Sequence, residues 1–132
     1  MANMEIINHT PDNLFVGNNK FETGTVTVAT SGTVKDGYVV VMDTTSGKWA
    51  AATSSTIDDG KPLGVLSLRE DITNSGGSAA DYAGQRICIA GDVNANLTSL
   101  GGTALTAVEG EYLRMQGIYN IDAKQIGVQD NQ

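Results

Sequence analysis

Among its 132 residues the chain holds one histidine, His9, and one cysteine, Cys88. These are the side chain types that most readily serve as bases and nucleophiles near neutral pH. His9 lies in a polar N-terminal stretch with nothing to hold it beside a reactive group, so it reads as a surface residue rather than as part of a triad. Cys88 lies inside Arg86-Ile87-Cys88-Ile89-Ala90, an apolar strand-like run, and reads as a buried packing residue rather than a nucleophile. A lone cysteine excludes an intramolecular disulfide framework. One His and one Cys also leave only carboxylates and carbonyls to hold a metal. The best acidic group is Asp58-Asp59-Gly60, but Asp-Gly at the end of a polar run signals a turn, and no EF-hand spacing follows. The paired glycines of TNSGGSAA (Thr73 to Ala80) invite a phosphate-loop reading, yet GxxxxGK[ST] and any basic residue are missing there, which favours a plain solvent loop. No catalytic, cofactor-binding or metal residue is assigned, and a small hydrolase is set aside for want of a positioned base. The expectation is a scaffold that binds and does not turn over a small-molecule substrate.

The elements that would present such a surface are β-strands. Tyr38-Val39-Val40-Val41-Met42 is rich in β-branched and aromatic residues, Thr44-Thr45-Ser46-Gly47 supplies turn chemistry, and Lys48-Trp49-Ala50-Ala51-Ala52 can pair back. Gly60-Lys61-Pro62 breaks the chain before a third strand, Leu63 to Leu68. Val26 and Val28 alternate with threonines from Thr23 to Ala29, the period of a half-buried strand. Asp81-Tyr82-Ala83-Gly84 is read as closing the Gly/Ser loop before the Arg86 strand. One helix is predicted: Thr106 and Glu109 form a capping box, Val108, Tyr112 and Met115 recur at helical spacing, and Gly117 stands as a C-terminal stop. Gly110 in its middle costs about 1 kcal/mol relative to Ala, so the helix is expected to be short and held by packing. Ile118 to Ile121 reads as a final strand.

Length allows one domain with one core, and aromatics at 5% leave that core to Val, Ile, Leu and Ala. Trp49, Tyr38, Tyr82 and Tyr119 offer a stacking platform on one reading and core or inter-subunit contacts on the other, which their scarcity favours. Eight basic against fifteen acidic residues give a formal charge of -7, the wrong sign for phosphate backbones, so no nucleic-acid partner is expected. No apolar run approaches the roughly 20 residues of a membrane span, and the first residues show no secretory signal pattern.

Residues 1–20 differ from the rest. Asparagines punctuate them, Thr10-Pro11-Asp12-Asn13 favours a turn, and Ile6, Ile7, Leu14, Phe15 and Val16 are too scattered for a core of their own. They read either as an arm that docks on something or as a terminus without a role. The predicted organisation is an extended N-terminal arm over 1–20, a β-rich domain over 21–122 and a polar C-terminal tail over 123–132. The fold class is mostly β: a small single-domain barrel-like or sandwich-like body with one short helix near the C-terminus.

PDNLFVGNNKFETGTVTVATSGTVKDGYVVVMDTTSGKW, then GKPLGVL, IAGDVNANLTSLGG and EYLRMQGIYNI, occur in an order that resembles the lambda-type head decoration proteins of tailed bacteriophages, over roughly residues 11 to 122. The landmarks are Asn13-Leu14 before Gly17, the Thr25 to Val28 strand, Gly37 opening the hairpin, Gly91-Asp92-Val93-Asn94 leading to Leu97, and Leu113-Arg114 leading to Gly117-Ile118. The resemblance implies a homotrimer on the outer surface of the virion head, bound to the major capsid protein through an N-terminal arm that is poorly ordered when free. Capsid contact is then expected at Ile6, Ile7, Pro11, Leu14 and Phe15, with no cofactor. The chain departs from the family pattern in its long 70–85 loop, its aromatic-poor body and its tail. The competing expectation is a stand-alone β-sheet module that binds carbohydrate or a host receptor on a fibre or cell envelope.

Overall fold

A computed structural model of the chain describes residues 14–121. His9, the expected anchors Ile6, Ile7 and Pro11, and the 123–132 tail lie outside the described residues. The body is mostly β, with 46% strand and 7% helix. Its elements in chain order are β1 (Lys20–Val28), β2 (Thr33–Val34), β3 (Val39–Met42), β4 (Trp49–Ala51), β5 (Leu63–Ser67), β6 (Ile72–Thr73), β7 (Ala80–Asn94), β8 (Ser99–Leu100), β9 (Thr103–Ala104), α1 (Ala107–Arg114) and β10 (Ile118–Ile121).

Five strands close a barrel in the order β1-β4-β3-β5-β7, with β7 returning to β1. All pairings around the ring are antiparallel except β1 with β4, where Val26 faces Trp49 and Thr27 faces Ala50 in parallel. The β3–β4 hairpin forms as its residues dictate. Asp43 Oδ1 accepts from the Thr45 amide at 2.9 Å, and the Gly47 amide donates to Asp43 O at 2.7 Å. A closed ring leaves no bare sheet edge around the five strands. Beyond β5, strand β10 joins the far end of β7 in parallel, pairing Ile118 with Gly91 through to Ile121 with Asn94.

Period-two alternation sends side chains to both sides of this wall, and both sides are apolar. Val26, Val28, Val40, Trp49, Leu66 and Ile87 fill the lumen, with Val34 at one end. Val39, Val65 and Cys88, directly opposite one another across β3, β5 and β7, point outward. They are covered by Leu14, Ala52, Ile57, Leu63, Val93, Leu113 and Ile118. The single core expected from composition is therefore two clusters back to back on shared strands. At about 1.5–3 kcal/mol per buried Val, Leu or Ile, neither cluster alone holds enough large side chains to carry the body. Trp49 is the largest lumen residue, and two glycines make room for it. A Cβ on Gly24 would come within 2.8 Å of Trp49 Nε1, and one on Gly64 would collide with Ile87 Cγ2 and sit 3.3 Å from Trp49 Cζ3.

Several expectations are corrected by the structure. Asp81 to Gly84 is not a loop closure but part of the 15-residue β7, with Val26, Thr27 and Val28 facing Tyr82, Asp81 and Ala80. The register shifts between Gly24 and Val26, opposite Gly84 at φ +77°, and this bulge breaks the alternation that would have marked a strand. The Gly/Ser stretch starts in β6, paired with β2, and is tied down by buried Asn74. The Asn74 amide donates to Val28 O, Ala29 O and Ser78 O, while its Oδ1 accepts from the Gly76 amide. The capping box exists, with Glu109 N donating to Thr106 Oγ1 at 3.3 Å and Thr106 N to Glu109 Oε1 at 2.9 Å. The helix turns a different face inward, however: Leu113 is buried, whereas Val108 and Met115 are 61% and 81% exposed.

The arm expected over residues 1–20 also shortens. Leu14 is 6% exposed within the outer cluster, and Phe15 packs against that cluster. Backbone bonds from Val16 N to Asp92 O at 3.0 Å and from Asn94 N to Leu14 O at 2.8 Å lace this stretch to β7. As part of the folded body, Leu14 and Phe15 are not free arm anchors. Scattered among asparagines, they look too sparse to fold alone, but β7 supplies the partner that the local sequence lacks.

Candidate functional site

The two ends of the described chain meet on one strand. Phe15 bridges Val93 in antiparallel fashion, and Asn120 pairs with the same Val93 in parallel. The Ala95 amide donates to Ile121 O at 2.7 Å. Two shielded acceptors that find no donor among the described residues, Asn19 Oδ1 and Asn120 Oδ1, lie on the segments that flank this junction. Asn19 is otherwise engaged, its Nδ2 donating to Asp92 O at 2.8 Å.

An open groove of about 590 Å³ runs beside the incoming chain, with Leu14, Phe15, Phe21, Leu68, Arg69 and Arg86 among its lining residues. The Phe15 and Phe21 rings pack edge to face, 4.9 Å between centroids at 84°. The Arg86 guanidinium lies over Phe21, 3.6 Å from its centroid, a contact worth about 0.5–1 kcal/mol where exposed. Asp36 shares the groove and holds its shape by accepting from the Leu68 amide at 2.8 Å. A second groove of about 510 Å³ lies between α1 and β10, with Arg114, Tyr119, Asn120 and Ile121 among its walls. Arg114 sits 6.0 Å from the Tyr119 ring centroid, and Tyr119 is 45% exposed.

The residues singled out for chemistry are placed as follows. Cys88 is buried, its Sγ donating to Ala90 O at 3.3 Å, and burial pushes its thiol above the ordinary value. Asp58 and Asp59 stand in an exposed turn between β4 and β5. Asp81 is held below the ordinary carboxylate range first by Lys48 Nζ, at 2.5 Å, and then by the Thr27 hydroxyl. Asp43 is lowered chiefly by the Thr45 amide. Both carboxyls are thus held ionised, the opposite of the upward tuning a proton donor at neutral pH requires. Among the described residues no three His, Cys, Asp or Glu gather where they could hold a metal, and no helix is long and apolar enough to cross a membrane.

The four aromatics considered as a stacking platform do not form one. Trp49 is 2% exposed in the lumen, Tyr38 and Tyr82 pack against that same cluster, and only Tyr119 faces solvent. Sequence reasoning missed the Phe15, Phe21 and Arg86 set, because its members come from different segments. The one local hint was an arginine two positions before the buried Cys88, at the head of the otherwise apolar run Arg86 to Ala90. Comparison with protein-family models, curated proteins and solved structures finds no match for this chain.

Proposed function

We propose that this protein is a bacteriophage capsid decoration protein. It binds the major capsid protein on the outer surface of the head as a homotrimer and stabilises the shell against the pressure of the packed genome, with no catalytic step. The observation that carries this reading is the junction on Val93: Phe15 and Asn120 flank one residue of β7, so both terminal segments are tethered from one end of the body. A rigid barrel whose chain ends leave side by side is suited to lie on a surface and grip it through those ends. The order of motifs from Asn13 to Ile121 supports the same reading. So does the charge of -7, since an acidic protein is repelled by packaged DNA and favoured outside the shell.

Residues 1–13, with Ile6, Ile7 and Pro11, are the arm in this proposal. Main-chain pairing with an exposed capsid strand would supply affinity, and pockets for alternate side chains would supply selectivity. Ordering about ten residues costs on the order of 10–20 kcal/mol at roughly 1–2 kcal/mol each. A single arm therefore binds modestly, and three linked arms bind firmly because each later contact is effectively intramolecular.

The test uses capsids stripped of their own decoration protein. The full chain should co-sediment with them, raise their resistance to heat or chelator, and occupy three-fold positions in cryo-microscopy. Deleting Met1 to Pro11 should leave the body folded, by circular dichroism and melting temperature, while removing most of the binding. Absence of co-sedimentation together with unchanged capsid survival would overturn the proposal. Binding by the truncated chain at full affinity would move the contact to the body, where the groove beside Phe15 is the next candidate.

A further inference from the structure

The chain contains two Asp-Gly pairs, Asp36-Gly37 and Asp59-Gly60, and the fold treats them oppositely. Aspartate followed by glycine is the sequence in which the main-chain amide nitrogen most easily reaches the preceding side-chain carboxyl, because glycine has no Cβ to obstruct the approach. At the first pair the attacking amide and the side-chain carboxyl are both held. The Gly37 amide donates to Leu66 O at 3.0 Å, Gly37 O accepts from the Ser99 amide at 3.0 Å, and Asp36 Oδ1 accepts from the Leu68 amide at 2.8 Å. Gly37 is itself buried, with Leu97 O directly against it. At the second pair neither the attacking amide nor the carboxyl is held. Asp58, Asp59 and Gly60 are all exposed, and nothing lies within 4 Å of where a Gly60 Cβ would be. Among the described residues the Gly60 amide has no acceptor and the Asp59 carboxyl has neither a hydrogen-bond nor an ion-pair partner; only the Asp59 amide is bonded, to Thr56 O at 3.2 Å.

We infer that Asp59 is a site of spontaneous backbone isomerisation in the folded protein, through a cyclic imide formed with Gly60, and that Asp36 is protected from the same reaction by the fold. The Gly60 nitrogen attacks Cγ of the protonated Asp59 carboxyl, the N–Cγ bond forms, the amide proton is lost and water leaves, closing a five-membered succinimide. Water then adds back to one of the two imide carbonyls. Addition at Cγ restores aspartate. Addition at the Asp59 main-chain carbonyl breaks its bond to the Gly60 nitrogen and leaves the chain connected through Cγ, which is isoaspartate. The residue composition is unchanged and the backbone gains one methylene. No oxidant, cofactor or enzyme takes part.

The altered residue would lie just ahead of a clamp. Gln116 Nε2 donates to Lys61 O at 2.7 Å and Gln116 Oε1 accepts from the Leu63 amide at 2.7 Å, so the start of β5 is fixed from α1's side of the body. The longer backbone is absorbed in the exposed turn, and the barrel is left intact. The inference concerns the body alone and stands whether or not the capsid reading does.

The experiment is prolonged incubation of the full chain at 37 °C and neutral pH, native and in denaturant, followed by peptide mapping with electron-transfer fragmentation, which distinguishes isoaspartate from aspartate. In the native protein isoaspartate should accumulate at position 59 at least about tenfold faster than at 36. That is the factor carried by about 1.4 kcal/mol, the scale of the bonds that must open first around Gly37. In denaturant the two sites should react at similar rates, and Gly60→Ala should slow position 59 in both conditions. Equal rates at 36 and 59 in the native protein would overturn the inference, as would a native position 59 that stays unmodified while its denatured counterpart reacts.

Discussion

The lumen of the barrel and the layer outside it share three strands, β3, β5 and β7, yet are built by different means. The lumen is closed by strand pairing alone and filled by one large residue, Trp49, against the space left by Gly24 and Gly64. The outer layer is not closed by a ring of its own. It is roofed by pieces of chain: Leu14 and Phe15 from the N-terminal side, Ile57 from a turn, Leu113 from the helix and Ile118 from the last strand. Closure therefore gives the molecule rigidity, and the roof gives it its grooves and the point where both ends depart. A body of this size thus carries two apolar clusters on opposite sides of one wall.

That division can be tested by removing side chains from each half. Trp49→Ala should have the largest effect, about 3–5 kcal/mol, because the lumen has no neighbouring segment able to collapse into the space. Urea unfolding should show a fall in the midpoint, and a loss under 2 kcal/mol would mean that the lumen is far softer than described. Leu113→Ala should cost somewhat less, about 2–3 kcal/mol, since the short helix that carries it can settle toward β10. The double variant sharpens the comparison. If the two sides are energetically separate, its cost equals the sum within about 0.5 kcal/mol, whereas strong coupling would make the shared wall a single unit.

Smaller effects are expected further from either cluster. Thr106→Ala removes the cap of α1 and should lower stability by about 1 kcal/mol, read from the melting temperature, with Thr106→Ser restoring it. A change no larger than the scatter between melts would show that packing at Leu113 alone fixes the helix. The smallest effect concerns acid. Asp81 is held low by Lys48 and Thr27, so its ionised form favours the folded state. This contribution is fully present above the unfolded aspartate value near 4 and is lost as pH falls through the lower folded value. Lys48→Met should slightly lower the melting temperature at neutral pH, where the pair is charged, and flatten its decline below about pH 4, leaving the slope between pH 6 and 8 unchanged. Because the pair is exposed, a large change at neutral pH would mean that Lys48 acts through something other than Asp81.

The parts of the fold legible in the sequence are those specified by neighbours. The β3–β4 hairpin is written in Val39 to Met42 and in the Asp43 to Lys48 turn, and the helix in Thr106 and Glu109, all within a few residues of one another. What could not be read depends on partners far along the chain. Asp81 to Gly84 forms a strand only because β1 lies beside it, and the bulge at Gly84 hides its period. Leu14 and Phe15 look like arm residues until Val93 and Asn94 receive them. Val108 and Met115 have the right spacing to face a core, but it is Leu113 that reaches the outer cluster. The groove was the least legible part, since Phe15, Phe21, Leu68, Arg69 and Arg86 become neighbours only once the barrel closes.

Closure through β7 also bears on how the protein comes to be made. Lys20 lies opposite Ala90 and Val28 opposite Ala80, so β1 leaves the ribosome well before the strand that completes it. Contacts of such long sequence separation slow folding, because the loop between them must be ordered before the pairing rewards it. During that interval β1 presents unpaired amides and carbonyls along its edge, the template on which nascent chains join one another. Lys20 and Glu22 are exposed at the start of this strand, and charges on an edge discourage such joining. The strand that makes the barrel seamless when finished is thus also the one whose late arrival sets the period of greatest vulnerability in its synthesis.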